Sequence, residues 1–102
     1  MKKVINGKMY NTETAEAVGI WSNDRAKNDF SYIVERLYRT KRGSYFIHGE
    51  GGAMTRYAES VGDMYGAGEA IRPVDEAAAR EWAERHLTGE EYVEIFGEPE
   101  EA

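Results

Sequence analysis

Residues 31–52 read SYIVERLYRTKRGSYFIHGEGG and carry the strongest structural signal in the chain. Two runs rich in β-branched and aromatic side chains, 32–40 and 44–48, flank the polar step Lys41-Arg42-Gly43. Two such runs separated by a short step that contains glycine are typical of a β-hairpin. The sequence therefore predicts a central antiparallel hairpin, around which the other elements are arranged.

The position of the turn determines which residues of this hairpin lie opposite one another. A turn at Arg42-Gly43 places Tyr38 opposite Ile47 and Thr40 opposite Tyr45, with Val34 further along the same side. We expect that side to face the core. The other side is open to a covering helix or to a partner, because it mixes apolar and charged residues, namely Ile33, Glu35, Leu37, Arg39, Phe46 and His48.

The N-terminal part of the chain predicts a second hairpin and a brief helix. Asn6-Gly7 separates two short runs, and both positions of a type I′ turn require the positive φ that Asn and Gly tolerate. Residues 13–18 have acidic side chains where the first turn of a helix favours them, and Gly19 would end that helix. Ile20-Trp21 is expected to be a buried anchor.

The residues after the central hairpin predict mixed short elements. Residues 49–52 are rich in glycine and should end the strand, because glycine weakens strand interiors. Residues 54–61 carry apolar side chains at the spacing of a short helix, with an alternating strand as the alternative. A loop is expected over 62–68 and a last short strand over 69–72, which Pro73 would end by removing a backbone donor.

Two helices are predicted at the C-terminal end. Asp75 can cap a helix over 76–87, whose apolar face would hold Ala79, Trp82, Ala83 and His86. Thr88-Gly89-Glu90-Glu91 has the form of a capping box and starts a shorter helix, which Gly97 would end, with Tyr92, Ile95 and Phe96 facing inward.

Together these elements predict the α+β class, with a small antiparallel sheet built from hairpins and packed against a C-terminal helical segment. Residues 1–97 are expected to form a single domain, and 98–102 an acidic tail. Cys is absent, no apolar run is long enough to span a membrane, and no apolar segment follows the first basic residues. We expect the protein in the cytoplasm of a bacterial host cell.

Charge is distributed unevenly along the chain, whose net charge is −6. Residues 1–48 hold nine Lys or Arg and five Asp or Glu, whereas residues 49–102 hold four and fourteen. An acidic half repels nucleic-acid phosphates and favours a basic protein surface as its partner. Direct nucleic-acid binding is therefore not expected. An alternative role for the same acidic residues is only to keep the protein soluble.

Residue types that support catalysis or metal binding are scarce. His48 and His86 are the only histidines, and His48 with Glu50 would supply two ligands or one acid/base pair, which is too few for a complete site. The helix dipole alone accounts for His86 near a helix C-terminus. We expect no enzymatic activity, no catalytic residue, no cofactor and no metal.

The basic residues of the central hairpin offer an alternative function. Arg36, Arg39, Lys41 and Arg42 are interleaved with Tyr38, Tyr45 and Phe46, and such a mixture of cations and aromatic rings is used to bind single strands. On this alternative the protein would be a nucleic-acid-binding accessory protein that uses residues 31–48.

Three segments resemble a group of small proteins from phages and other mobile elements of Gram-positive bacteria. They are INGKMYNTETAEAVG (5–19), LYRTKRGSYFIHGEGG (37–52), and EAAAREWAERHL with EEYVEIFGE (76–87 and 90–98). Acidic proteins of this size from such elements are similar to anti-CRISPR proteins and other inhibitors of host defence. The resemblance implies a non-enzymatic protein that occupies a surface on a host nuclease complex.

Charge and resemblance together predict an acidic inhibitor that imitates the charge of nucleic acid. Its partner would be the basic surface of a host defence complex, with a CRISPR effector as one such complex, and no membrane would be involved. The residues expected to contact the partner are Glu76, Glu81, Glu84, Glu90, Glu91 and Glu94.

Overall fold

The computed structural model covers residues 1–102 and contains eight β-strands followed by two α-helices. The strands are β1 (Lys2–Ile5), β2 (Lys8–Asn11), β3 (Glu16–Ser22), β4 (Ile33–Arg39), β5 (Tyr45–Gly51), β6 (Glu59–Val61), β7 (Met64–Gly66) and β8 (Gly68–Val74). The helices are α1 (Glu76–His86) and α2 (Gly89–Phe96). The predicted α+β class is confirmed.

The main sheet has four antiparallel strands in the order β3-β4-β5-β8. The predicted central hairpin is confirmed as β4–β5, and the last strand is longer than expected because β8 continues past Pro73 at the sheet edge, where a missing donor is tolerated. Two small hairpins, β1–β2 and β6–β7, form separate two-stranded sheets.

The predicted register of the central hairpin is wrong by one residue. Tyr38 pairs with Phe46 and Leu37 pairs with Ile47, because the turn starts at Thr40 and includes Gly43 at a φ of 87°. A shift of one residue moves side chains to the opposite side of a sheet. The residues expected on one core side are therefore divided between the two sides.

One side of the sheet packs against the two helices, and we call it the helix face. Leu37, Tyr45 and Ile47 are buried there against residues of α1, with partly buried side chains of α2 completing the cluster. Trp82 is 3% exposed and belongs to this cluster. The prediction that the apolar side of α1 faces the sheet is therefore consistent with the structure, with Leu37 rather than Tyr38 beneath it.

The opposite side, which we call the hairpin face, packs against the N-terminal hairpin. Tyr38 and Phe46 stack there with their ring centres 5.0 Å apart, next to Ile71. Partly buried residues from the N-terminal segment cover this cluster, namely Ile5, Tyr10 and Ala15. The turn at Asn6-Gly7 has the expected positive φ at both residues, 52° and 77°.

The helix predicted over 13–18 is wrong, because residues 13–15 form a turn and residues 16–18 begin β3. The strand pairs with β4 along its length and contains an irregularity between Ala17 and Gly19. A helix of six residues is marginal in water, so pairing with the free edge of a central strand outweighs helix propensity. Trp21 lies on the helix face, but Ile20 is 56% exposed, so only half of the predicted anchor is packed.

The predicted helix over 54–61 and the loop over 62–68 are also wrong. Residues 53–57 form turns that lie over β5, and β6–β7 follow as a short hairpin. Strand β5 continues through Gly49 and Gly51, which the sequence predicted to end it. A Cβ atom on Gly49 would lie 2.1 Å from the Tyr57 ring, so glycine is needed there to let the 53–57 segment approach.

Both C-terminal helices begin as predicted. The Asp75 side chain accepts a hydrogen bond from the Ala78 N–H at 2.8 Å, and Thr88 and Glu91 form the complete capping box at α2. Gly97 follows α2 with a φ of 91°. Neither helix has the length and apolar character needed to cross a membrane.

Candidate functional site

The six predicted contact residues all lie on the solvent side of α1 and α2, and every one is exposed. The apolar residues of both helices contact the sheet, so both helices turn their acidic sides outward. We call this set the acidic helical surface, which comprises Glu76, Glu81, Glu84, Glu90, Glu91 and Glu94. Residues 75–102 hold ten acidic and two basic residues, which gives this part of the chain a net charge of −8.

Two members of the acidic helical surface are engaged within the chain. Glu76 accepts from Arg80 at 3.1 Å, and Glu91 accepts the Thr88 N–H at 2.9 Å as part of the capping box. The other four, Glu81, Glu84, Glu90 and Glu94, make no ion pair or side-chain hydrogen bond. Their carboxylates are the ones free to meet a basic partner.

Arg80 and Arg85 are the cations of this region, and Arg80 is turned toward α2. Its guanidinium donates to the Tyr92 hydroxyl at 3.1 Å and lies 4.8 Å from the centre of the Phe96 ring. Its hydrogen bonds to Tyr92 and Glu76 raise its pKa. Arg80 therefore joins the two helices to each other.

The aromatic residues of the central hairpin are buried, and one of its basic residues is engaged within the chain. Tyr38, Tyr45 and Phe46 are at most 9% exposed, so their rings are not available to stack on bases. Arg39 donates to the Ile95 carbonyl at 3.1 Å and to Glu16 at 3.2 Å. Lys41 and Arg42 at the turn are exposed.

A buried carboxylate cluster on the helix face was not predicted. Glu35 is 1% exposed, although its side chain is charged. Its carboxylate accepts hydrogen bonds from the Trp82 indole N–H at 2.9 Å and from the Arg56 and Tyr57 side chains. We call these four residues the Glu35 cluster. They tie α1 and the 53–57 segment to the centre of the sheet.

The electrostatics of the Glu35 cluster favour an ionised carboxylate. Burial raises the pKa of Glu35, but the hydrogen bonds from Tyr57, Trp82 and Arg56 outweigh it and hold this pKa below its ordinary value. Burial and the neighbouring Glu35 raise the pKa of Tyr57. A carboxylate with all its donors in place and almost no exposure cannot reach a substrate, so this cluster is structural.

His48 and Glu50 are not brought together. The Nε2 atom of His48 lies 2.9 Å from a carboxylate oxygen of Glu69 on β8, whereas Glu50 pairs with Lys27 at 3.4 Å. The chain contains no group of three or more His, Asp or Glu side chains that could hold a metal ion. The predicted pair is therefore two separate contacts.

His86 is a packing residue, and its place at a helix end does not fully account for it. Its ring stacks on Trp21 with centres 4.1 Å apart and meets Trp82 edge-on. Burial lowers the pKa of His86, which favours the neutral ring. The expectation based on the helix dipole alone is therefore corrected.

No protein-family model matches the chain, and no curated protein or solved structure is significantly similar to it. The choice among functions therefore depends on the geometry and charge of the chain itself.

Proposed function

We propose that this protein is a non-enzymatic inhibitor that binds the basic, nucleic-acid-binding surface of a host defence complex through its acidic helical surface. A CRISPR effector in the cytoplasm of a bacterial host is the partner we would test first. The observation that supports the proposal is the set of four exposed, unpaired carboxylates on two adjacent helices: Glu81, Glu84, Glu90 and Glu94.

Rigid placement makes these carboxylates suited to such a role. Both helices are capped and packed on the sheet, so the backbone that carries these charges is held in position before a partner arrives. Preorganised groups lose less conformational freedom on binding than groups on a mobile tail. An array of fixed negative charges also accelerates encounter with a positive surface, an effect that weakens as salt is added.

Inhibition is the first measurement that we propose. Purified CRISPR effectors would be assayed for cleavage of target DNA with and without the protein. We expect the protein to compete with DNA, so that raising the DNA concentration restores cleavage. Absence of inhibition and binding across a panel of effectors and other host nucleases would contradict the proposal.

Charge reversal then tests the surface itself. A variant carrying Lys in place of Glu81, Glu84, Glu90 and Glu94 removes the unpaired carboxylates and leaves the Glu91 capping box intact. We expect association with the partner to slow by about tenfold or more and its salt dependence to flatten. Exposed charge changes should each alter the free energy of unfolding by less than about 0.5 kcal/mol.

A matched control changes the net charge equally at exposed positions outside α1 and α2. Glu13, Asp63, Glu100 and Glu101 form no ion pair and would be changed to Lys together. We expect this control to keep most of the association rate. If both variants bind equally poorly, total charge rather than the acidic helical surface explains the interaction.

A further inference from the structure

A second region with a distinct chemistry lies on the other side of the sheet. The N-terminal hairpin and the turn of the central hairpin enclose a cleft of about 480 Å³. Lys8 lines it from one hairpin, Lys41 and Arg42 line it from the other, and no acidic residue is part of its wall. Binding sites for small molecules have volumes in this range.

The three cations of the cleft have no counterion. None of them takes part in an ion pair or donates a side-chain hydrogen bond. The backbone N–H groups of Lys41 and Arg42 also lack a partner within the chain, while the neighbouring Gly43 and Ser44 amides bond to Thr40. A phosphate group needs charged donors of this kind, together with backbone N–H groups.

An aromatic wall accompanies these cations. Tyr10 is half-buried, and its ring packs edge-on against Phe46 with centres 5.6 Å apart, so the core fixes its position while part of it lines the cleft. A fixed aromatic ring gives a planar base a surface to stack on. The Ser44 hydroxyl makes no hydrogen bond within the chain and is available to a sugar.

The surroundings limit how far an anionic ligand could extend. Beyond Tyr10 and Ser44 the adjoining surface includes Asp75 and Glu76 at the start of α1. Carboxylates there would repel the successive phosphates of a long strand, whereas a ligand confined to the cleft would meet only the three cations. The site therefore favours a small phosphorylated molecule over nucleic acid.

We propose that this cleft binds a free nucleoside phosphate, with its phosphates on Lys8, Lys41 and Arg42 and its base against Tyr10. The proposal does not rest on the inhibitor function, because the cleft shares no residue with the acidic helical surface and the two can be tested separately.

Backbone amide NMR of the whole chain provides the test. ADP, adenosine, inorganic phosphate and a short single-stranded oligonucleotide would be titrated separately at physiological salt. We expect ADP to shift amide signals of residues 7–15 and 40–44 with saturation, and adenosine or phosphate alone to bind at least about tenfold more weakly, because each offers only part of the contacts. An oligonucleotide that binds more tightly than ADP, or phosphate that binds equally well, would overturn the proposal.

Matched variants make the test specific. The double variant Lys41→Glu and Arg42→Glu removes two cations of the cleft, and Lys2→Glu with Lys3→Glu changes net charge equally on β1, outside it. We expect the first to weaken ADP binding by about tenfold or more and the second by less than about threefold. Equal losses in the two variants, or no saturable shift by ADP, would show that the cleft is not a nucleotide site.

Discussion

The helix face and the hairpin face bury the same sheet by different means. On the helix face, two capped helices cover Leu37, Tyr45 and Ile47, and the Glu35 cluster adds hydrogen bonds between distant parts of the chain. On the hairpin face, a two-stranded hairpin covers only Tyr38, Phe46 and Ile71. Isolated hairpins are marginally stable. The helix face should therefore supply most of the stability, and the hairpin face should open more readily.

The largest expected effect is that of Trp82→Ala on the helix face. Trp82 is 3% exposed and packs on the sheet, so its removal should cost about 3–5 kcal/mol in the free energy of unfolding. Urea denaturation would measure the loss. Trp82→Phe keeps most of the ring packing and loses the donor to Glu35, so it should cost less. A change below about 1 kcal/mol for Trp82→Ala would contradict the packing of α1 on the sheet.

Glu35→Ala should have the next largest effect, about 2–4 kcal/mol, because it leaves the Trp82 and Tyr57 donors without their acceptor. Glu50→Ala is the matched control on the same sheet. Its partner Lys27 has a side chain that is 76% exposed, so the control should cost no more than about 1 kcal/mol. Equal costs for the two variants would mean that the Glu35 cluster adds nothing beyond a surface ion pair.

Lowering the pH should reduce the stability of the helix face, but by less than the Glu35→Ala substitution does. The pKa of Glu35 is lowered by folding, so its contribution is present above its ordinary value of 4.5 and is lost as pH falls through the folded pKa. The pKa of His86 is also lowered, so folding is opposed by protonation as pH falls below 6.5. Stability measured by urea denaturation should therefore begin to fall below about pH 6.5, from His86, and should fall further below about pH 4.5, from Glu35.

Two variants separate these contributions to the pH dependence. Glu35→Gln should remove the decline at the acidic end, and His86→Phe should remove the part that begins near pH 6.5 while keeping a ring on Trp21. A stability profile that stays flat in the unmodified protein would contradict both assignments.

The smallest expected effect is on the hairpin face. Tyr10→Ala removes a half-buried ring, so it should cost only about 1–2 kcal/mol. Amide hydrogen exchange in β1 and β2 should then accelerate far more than in β4 and β5, since local opening need not unfold the main sheet. A loss as large as that of Trp82→Ala would show that the two faces are equally important for stability.

Local signals made much of this fold predictable. The N-terminal turn, the central hairpin and the two caps depend on residues close together in sequence, as at Asn6-Gly7 and Thr88. The strand at 16–22 and the turns at 53–57 depend on partners far away, because β3 needs the edge of β4 and Tyr57 needs the space above Gly49. The secondary-structure propensity of a segment does not predict such pairings between distant parts of the chain.

The candidate sites also differ in whether local sequence patterns can predict them. Helix periodicity placed the acidic residues on the solvent side of α1 and α2, because a face can be read from spacing alone. The cleft was missed because Lys8 lies more than 30 residues from Lys41 and Arg42 and only the packing of the two hairpins joins them. No local signal in the sequence marked Glu35 as buried, because the same strand also carries Arg36 and Arg39.

The placement of negative charge on the helices and of positive charge on the N-terminal hairpin gives the molecule an electric dipole across its sheet. A basic partner would exert a torque on this dipole during approach, so the helices would lead and the N-terminal hairpin would trail. The nucleotide cleft would then point to solvent in the assembled complex. The protein could then hold its basic partner and a nucleotide at the same time. Its N-terminal hairpin would present positive charge to solvent, while the acidic helical surface covers the positive surface of the partner.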